Sequence, residues 1–150
     1  MSLSFFILLL ILVCCDCYRI INNNRVSFSN IILKVANIQD IFTAEQLDAI
    51  TVKCTSPEPV IIDYQKSKCK PCLKVAPLYE ELAKKYEGKA KFFKVDADSS
   101  PEALSVMKAN GIRSVPTFHI WRLGTRIDSI QGSHIDEVEA LIEGELQKMK

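Results

Sequence analysis

Residues 60–72 read VIIDYQKSKCKPC. The first five, Val60-Ile61-Ile62-Asp63-Tyr64, form a nearly unbroken apolar run of strand length, as expected for a strand covered on both faces. The last four, Cys69-Lys70-Pro71-Cys72, open a segment of helical period. Leu73, Ala76, Tyr79, Leu82 and Tyr86 recur at steps of three and four, which predicts a helix over 69–86 with these residues inward. Pro77 should kink that helix and Gly88 should stop it.

A cysteine at a helix start has special chemistry. The unpaired N–H groups and the dipole of that end favour an anion. They shift a thiol from its free pKa of about 8.5 towards about 7 or below. Residues i and i+3 also lie close enough for a disulfide. Pro71 fits a first helical turn and stiffens the loop, favouring a reducible bond. Lys66, Lys68, Lys70 and Lys74 surround the pair, and each ammonium favours the thiolate weakly through solvent. Two other readings exist. Zinc needs four ligands, usually from two such pairs, and Cys54, His119 and His134 are scattered elsewhere. A structural disulfide closing so small a loop stabilises little. The redox reading is preferred, with no metal and no organic cofactor.

Outward from this centre, KVANI (34–38) predicts a short first strand. Thr43 and Gln46 form a capping box before Leu47 and Ile50. KFFKV (91–95) reads as a strand, and Pro101 opens a helix to about Lys108. Residues 117–121 and 126–130 read as a hairpin turning near Gly124. Ser133, with Asp136 three residues on, should start a final helix burying Ile135, Val138, Leu141, Ile142 and Leu146. The order β-α-β-α-β-α-β-β-α implies an α/β fold: a central mixed sheet flanked by helices on both faces. With 150 residues there is room for one ordinary domain. A net charge of +1 argues against electrostatically driven binding of nucleic acid, which needs a strongly basic face.

The N-terminal region reads as an address. Phe5 to Val13, FFILLLILV, is too short to span a membrane and has the length of a signal-peptide core. Cleavage near Cys15 or Cys17 makes 1–17 the signal peptide, leaves no transmembrane segment in the mature chain, and retains Cys54, Cys69 and Cys72. Tyr18 to Gln39 has Arg19, Arg25 and Lys34 and no acid. It reads as an Asn-biased linker or a transit-like segment, with no fold expected over 18–33. Behind a signal peptide it is similar to the two-part leaders that direct proteins to the plastid of apicomplexan parasites. The expected destination is the secretory pathway (secreted or vacuolar lumen), with a plastid-type organelle as the alternative.

From about residue 34 to residue 150 the chain resembles a thioredoxin. VIIDY precedes CKPC as an apolar strand ending in Asp-aromatic precedes Cys-Gly-Pro-Cys in that family. Pro77 follows five residues after the second cysteine. GIRSVPT (111–117) matches the family's Gly-Ile-x-x-Ile/Val-Pro-Thr, and Gly124 and Gly132 match later glycines. The resemblance implies a thioredoxin fold and a dithiol–disulfide oxidoreductase. Cys69 then matches the attacking thiolate and Cys72 the resolving thiol. Asp63 matches the buried carboxylate that takes the Cys72 proton. Lys94 matches the lysine paired with that Asp, Pro116 the cis-proline, and Val115 the backbone that pairs with an extended substrate. The partners implied are proteins with disulfides and a reductase or other electron donor.

The chain also departs from the pattern. The family's Trp before the first cysteine is Lys68, and an aromatic three residues earlier is Gln65. Polar groups replace flat apolar surface, which favours acidic or polar partners over a standard reductase. A different class of role therefore stands beside the enzyme: an accessory subunit of a larger complex, such as a protein-export translocon, with redox chemistry secondary. Cys54 reads as an incidental thiol and His119 and His134 as structural.

Overall fold

The structure, a computed structural model, describes residues 38–149. The expected signal peptide, the linker and all but the last residue of the 34–38 strand lie outside these residues. Nine elements follow in the expected order. They are β1 (Ile38–Asp40), α1 (Ala44–Ile50), β2 (Val60–Gln65), α2 (Lys70–Lys85), β3 (Lys91–Asp96), α3 (Pro101–Ala109), β4 (Thr117–Arg122), β5 (Thr125–Gln131) and α4 (Ile135–Gln147).

The strands form one sheet in the order β1-β3-β2-β4-β5. β3 runs parallel to β1 and β2, while β4 runs antiparallel to β2 and β5. β2 is thus central, and its first five residues are all buried. Alternation along the strands sorts side chains between two layers. Ile61, Phe92, Phe118, Ile120 and Ile130 pack with Val75, Tyr79 and Leu82 of α2 and Val138 and Ile142 of α4. Val60, Ile62, Tyr64, Phe93 and Val95 pack with Leu47 and Ile50 of α1 and Ala103, Val106 and Met107 of α3. Asp63, two residues from Ile61, faces the α2 layer.

Local signals explain several boundaries. The capping box of α1 forms: the Gln46 N–H donates to Thr43 Oγ1 at 3.3 Å and the Thr43 N–H to Gln46 Oε1 at 3.1 Å. Leu123 and Gly124 turn the β4–β5 hairpin, both with positive φ (49° and 77°), as a two-residue type I′ loop requires. A Cβ at residue 124 would also lie 3.1 Å from the Val52 carbonyl oxygen.

Two sequence expectations are corrected. The inward stripe of α2 is Cys72, Val75, Tyr79, Leu82 and Ala83, and Leu73 is 61% exposed. Tyr79, Leu82 and Tyr86 are buried as expected; the difference lies at the start of the helix, where Cys72 and Val75 point inward and Leu73 outward. The helix runs unbroken through Pro77, which is exposed. At α4, His134 and not Ser133 is the N-cap, and no side chain caps it. The Ile135 N–H instead donates to the Ser133 carbonyl at 3.0 Å. Glu145 of α4 is buried and tied to β4 by Arg122 at 3.1 Å.

His119, on the α1/α3 side of β4, is 1% exposed and packs edge-on against Tyr64 with ring centroids 4.8 Å apart. Burial, helped by the Arg126 charge, lowers its pKa to about 4. The unfolded chain then binds the proton more readily than the folded one between about pH 6.5 and 4. Stability supplied by neutral His119 is complete above about 6.5 and falls as the pH drops towards 4, by on the order of 3 kcal/mol. Urea unfolding of His119→Phe should show a flatter acid limb than the parent over that window. Parallel curves would contradict it.

Candidate functional site

The site is built where β2 delivers the chain to α2. After Gln65 the chain turns, and the Cys69 N–H donates to the Lys66 carbonyl at 3.1 Å. Ser67 pins this loop to the end of β3. Its hydroxyl donates to Asp96 Oδ2 at 2.6 Å and its N–H to Asp98 Oδ2 at 3.1 Å. Cys69 then takes the N-cap of α2 with extended backbone (φ −83°, ψ 109°). Its sulfur accepts the Cys72 N–H at 3.2 Å. A negative sulfur there receives both a charge-assisted hydrogen bond and the positive end of a sixteen-residue helix.

The two sulfurs are joined as a disulfide, with 5.2 Å between the Cα atoms. They are unequal in access. Cys72 is 1% exposed, whereas Cys69 is only half-buried. An incoming sulfur reaches Cys69 first.

A second loop faces Cys69. The Val115–Pro116 bond is cis, and the Val115 carbonyl oxygen lies 3.6 Å from Cys69 Sγ. Three hydrogen bonds hold this loop. Thr117 Oγ1 donates to the Ser114 carbonyl at 2.8 Å, the Gly132 N–H to the Pro116 carbonyl at 2.8 Å, and Ser114 Oγ to Gln131 Oε1 at 3.2 Å.

Asp63 lies in the sheet on the α2 side, 2% exposed, with Oδ1 lacking any hydrogen-bond partner in the protein among the described residues. Burial raises its pKa to about 7; the Lys94 charge opposes the rise and Asp96 adds to it. Lys94 stands opposite Asp63 in the β2–β3 register, while its ammonium lies 3.5 Å from Asp40 Oδ1. Lys66, Lys68, Lys70 and Lys74 are exposed around the helix start.

The structure therefore places Cys69, Cys72, Lys68, Lys70, Pro71 and Val115–Pro116 at one end of the sheet, with Asp63 and Lys94 as register neighbours within it and the Lys94 ammonium directed to Asp40. Sequence reasoning missed Ser67, Asp96, Asp98, Ser114 and Gln131, which hold the two loops. Polar residues at the carboxyl ends of β2 and β3 were the available signal. Cys54 is a buried free thiol in the loop before β2, away from the pair. Among the described residues no group of three or more His, Cys, Asp or Glu side chains could hold a metal ion.

Comparison with known proteins agrees with this geometry. The family model described as Thioredoxin matches residues 40–144. An H-type thioredoxin of Chlamydomonas reinhardtii is 38% identical over 85 residues, 57% of this chain and 73% of the relative. A chloroplastic M-type thioredoxin of Pisum sativum is 33% identical over 116 residues, 71% of this chain and 66% of the relative. Among solved structures, the complex of ferredoxin:thioredoxin reductase with thioredoxin f2 contains a chain that superposes with a TM-score of 0.63 at 27% identity. That match covers 75% of this chain and 97% of the other.

The Asp63 environment has a measurable consequence. With a folded pKa of about 7 against about 3.9 unfolded, the folded state holds the extra proton between these values. Stability should then fall as the pH rises from about 4 to 7, with a ceiling on the order of 4 kcal/mol. Asp63→Asn, which cannot ionise, should be more stable than the parent at pH 8 in denaturant titration, and the gain should vanish near pH 4. A gain that does not change with pH would contradict the assignment.

Proposed function

Since the chain belongs to the thioredoxin family and is a thiol–disulfide oxidoreductase, we propose that its reaction runs through Cys69 as attacking thiolate and Cys72 as resolving thiol. The carrying observation is the Cys69 sulfur at the α2 N-cap, accepting a backbone N–H, with a sealed second sulfur one turn on. In the reduced protein the Cys69 thiolate attacks one sulfur of a substrate disulfide. A Cys69–substrate disulfide forms, the substrate S–S bond breaks, and the first substrate sulfur leaves as a thiolate that takes a proton from solvent. Cys72 then loses its proton and attacks Cys69 Sγ. The mixed disulfide breaks, the second substrate thiolate leaves, and the Cys69–Cys72 bond closes. Two electrons pass to the substrate, and the protein dithiol is oxidised.

Asp63 fits the acceptor for the Cys72 proton. A carboxylate titrating near 7 is poised to take and return a proton under physiological conditions. Val115 presents the backbone along which an extended substrate pairs, and Pro116 shapes that edge. Lys68, Lys70 and Pro71 shape the active-site loop and favour the thiolate, and Lys94 tempers the Asp63 proton affinity. Re-reduction falls to a reductase that docks on the same face; the structural relative in complex with its reductase supports that role.

For the region before the domain, we read residues 1–17 as a signal peptide carrying this dithiol into the secretory pathway. The alternative, a plastid-type destination, draws support from the acid-free stretch behind it and from the chloroplastic pea relative. A fluorescent protein fused behind residues 1–40 should leave the cytosol, and its final compartment separates the two destinations. Cytosolic fluorescence would overturn both.

Trapping tests the chemistry. Cys72→Ser should accumulate mixed disulfides in cells that are released by dithiothreitol and absent from Cys69→Ser/Cys72→Ser. An empty trap would favour an accessory-subunit role.

A further inference from the structure

Dithiol chemistry needs one activated sulfur, but this site carries more positive charge than that. From Gln65 to Ala76 the chain holds four lysines and no carboxylate. Lys66, Lys68, Lys70 and Lys74 are all exposed, and so is Arg113, two residues before the Val115 carbonyl that faces Cys69. Among the described residues none of the five forms an ion pair, whereas Lys85, Lys91, Lys94 and Arg122 elsewhere on the domain do. The first turn of α2 contains no acidic residue, so the positive helix end adds to the field. Two carboxylates do share this end of the sheet, Asp96 and Asp98, and both accept hydrogen bonds from Ser67. They offset part of the charge and leave five cations against two acids. Leu73, 61% exposed and next to Cys72, supplies one apolar contact beside the cations.

Resting on the oxidoreductase reading above, we propose that the preferred substrates are protein disulfides flanked by Asp or Glu, gripped by a collar of Lys66, Lys68, Lys70, Lys74 and Arg113. An extended acidic segment laid along Val115 would pass between Arg113 on one side and the loop lysines on the other. Exposed charges of this kind act chiefly on encounter, raising association rates about tenfold or more, and they lose that effect as salt rises.

The test uses the full chain, reduced with dithiothreitol and desalted, in single-turnover reactions. Three peptide disulfides of equal length carry Glu, Gln or Lys on each side of the cystine, and bis(2-hydroxyethyl) disulfide serves as an uncharged small substrate. At about 20 mM salt the Glu peptide should react at least about tenfold faster than the Lys peptide, and the gap should close by about 0.5 M. Lys66→Glu, Lys74→Glu and Arg113→Glu together should bring the Glu-to-Lys rate ratio to one or invert it, the ratio being taken within the variant. A ratio of one in the parent at low salt, or a preference that salt leaves unchanged, would overturn the proposal, as would one that survives the charge reversal. Failure to reduce even the Gln peptide and the small disulfide would strike the oxidoreductase reading itself and take the proposal with it.

Discussion

A single hydrogen bond organises this molecule: the N–H of Cys72 directed at the sulfur of Cys69 across the first turn of α2. It exists because β2 ends one short loop before the helix, and because that loop is tied down by Ser67 on Asp96 and Asp98. The same turn that aims the N–H places Cys72 under cover. The helix then has to present Val75, Tyr79 and Leu82 to the sheet, which fixes its rotation and leaves Leu73 in solvent. Activation of one sulfur, concealment of the other and the packing of α2 follow from one geometric choice.

The central sheet keeps two buried titratable groups on opposite faces. Asp63 lies under α2, and His119 lies under the α1/α3 layer one strand away. Both are held in their uncharged forms by burial, and their linkages have opposite signs. The carboxyl favours the folded state at low pH and the imidazole favours it at high pH. Between about pH 4 and 6.5 the two slopes partly offset, so the parent can look insensitive to pH while each group is strongly perturbed. Of the two, only Asp63 faces the α2 layer that carries the sulfurs.

Much of this was readable from the chain because it is encoded locally. The apolar run at 60–64 has the length and composition of a strand covered on both faces. The Thr43/Gln46 capping box and the Leu123-Gly124 turn are satisfied within four residues, and Cys69 and Cys72 are fixed by helical spacing alone. What escaped depends on partners far along the chain. Ser67 meets Asp96 and Asp98 about thirty residues on, and the buried Glu145 is paired by Arg122 reaching from β4 as well as by its neighbour Lys148. Tyr79, Leu82 and Tyr86 were placed inward correctly, but the first turn of α2 was misread because Leu73 is as apolar as its neighbours. Composition does not say that a cysteine outranks it for burial. Ser133 has the right chemistry for a cap, but the chain enters α4 one residue later, through His134.

The central claim concerns the charge on one sulfur, and the pH dependence of alkylation measures it most directly. The reduced Cys72→Ser protein, with Cys54 also replaced by Ser, leaves Cys69 as the single thiol of the described domain to react with iodoacetamide. The account predicts a rate that rises with a midpoint well below the free-thiol value of about 8.5, near 7 or lower. A midpoint at or above the free-thiol value would show that the α2 N-terminus does not hold the thiolate, and the proposed mechanism would fail with it.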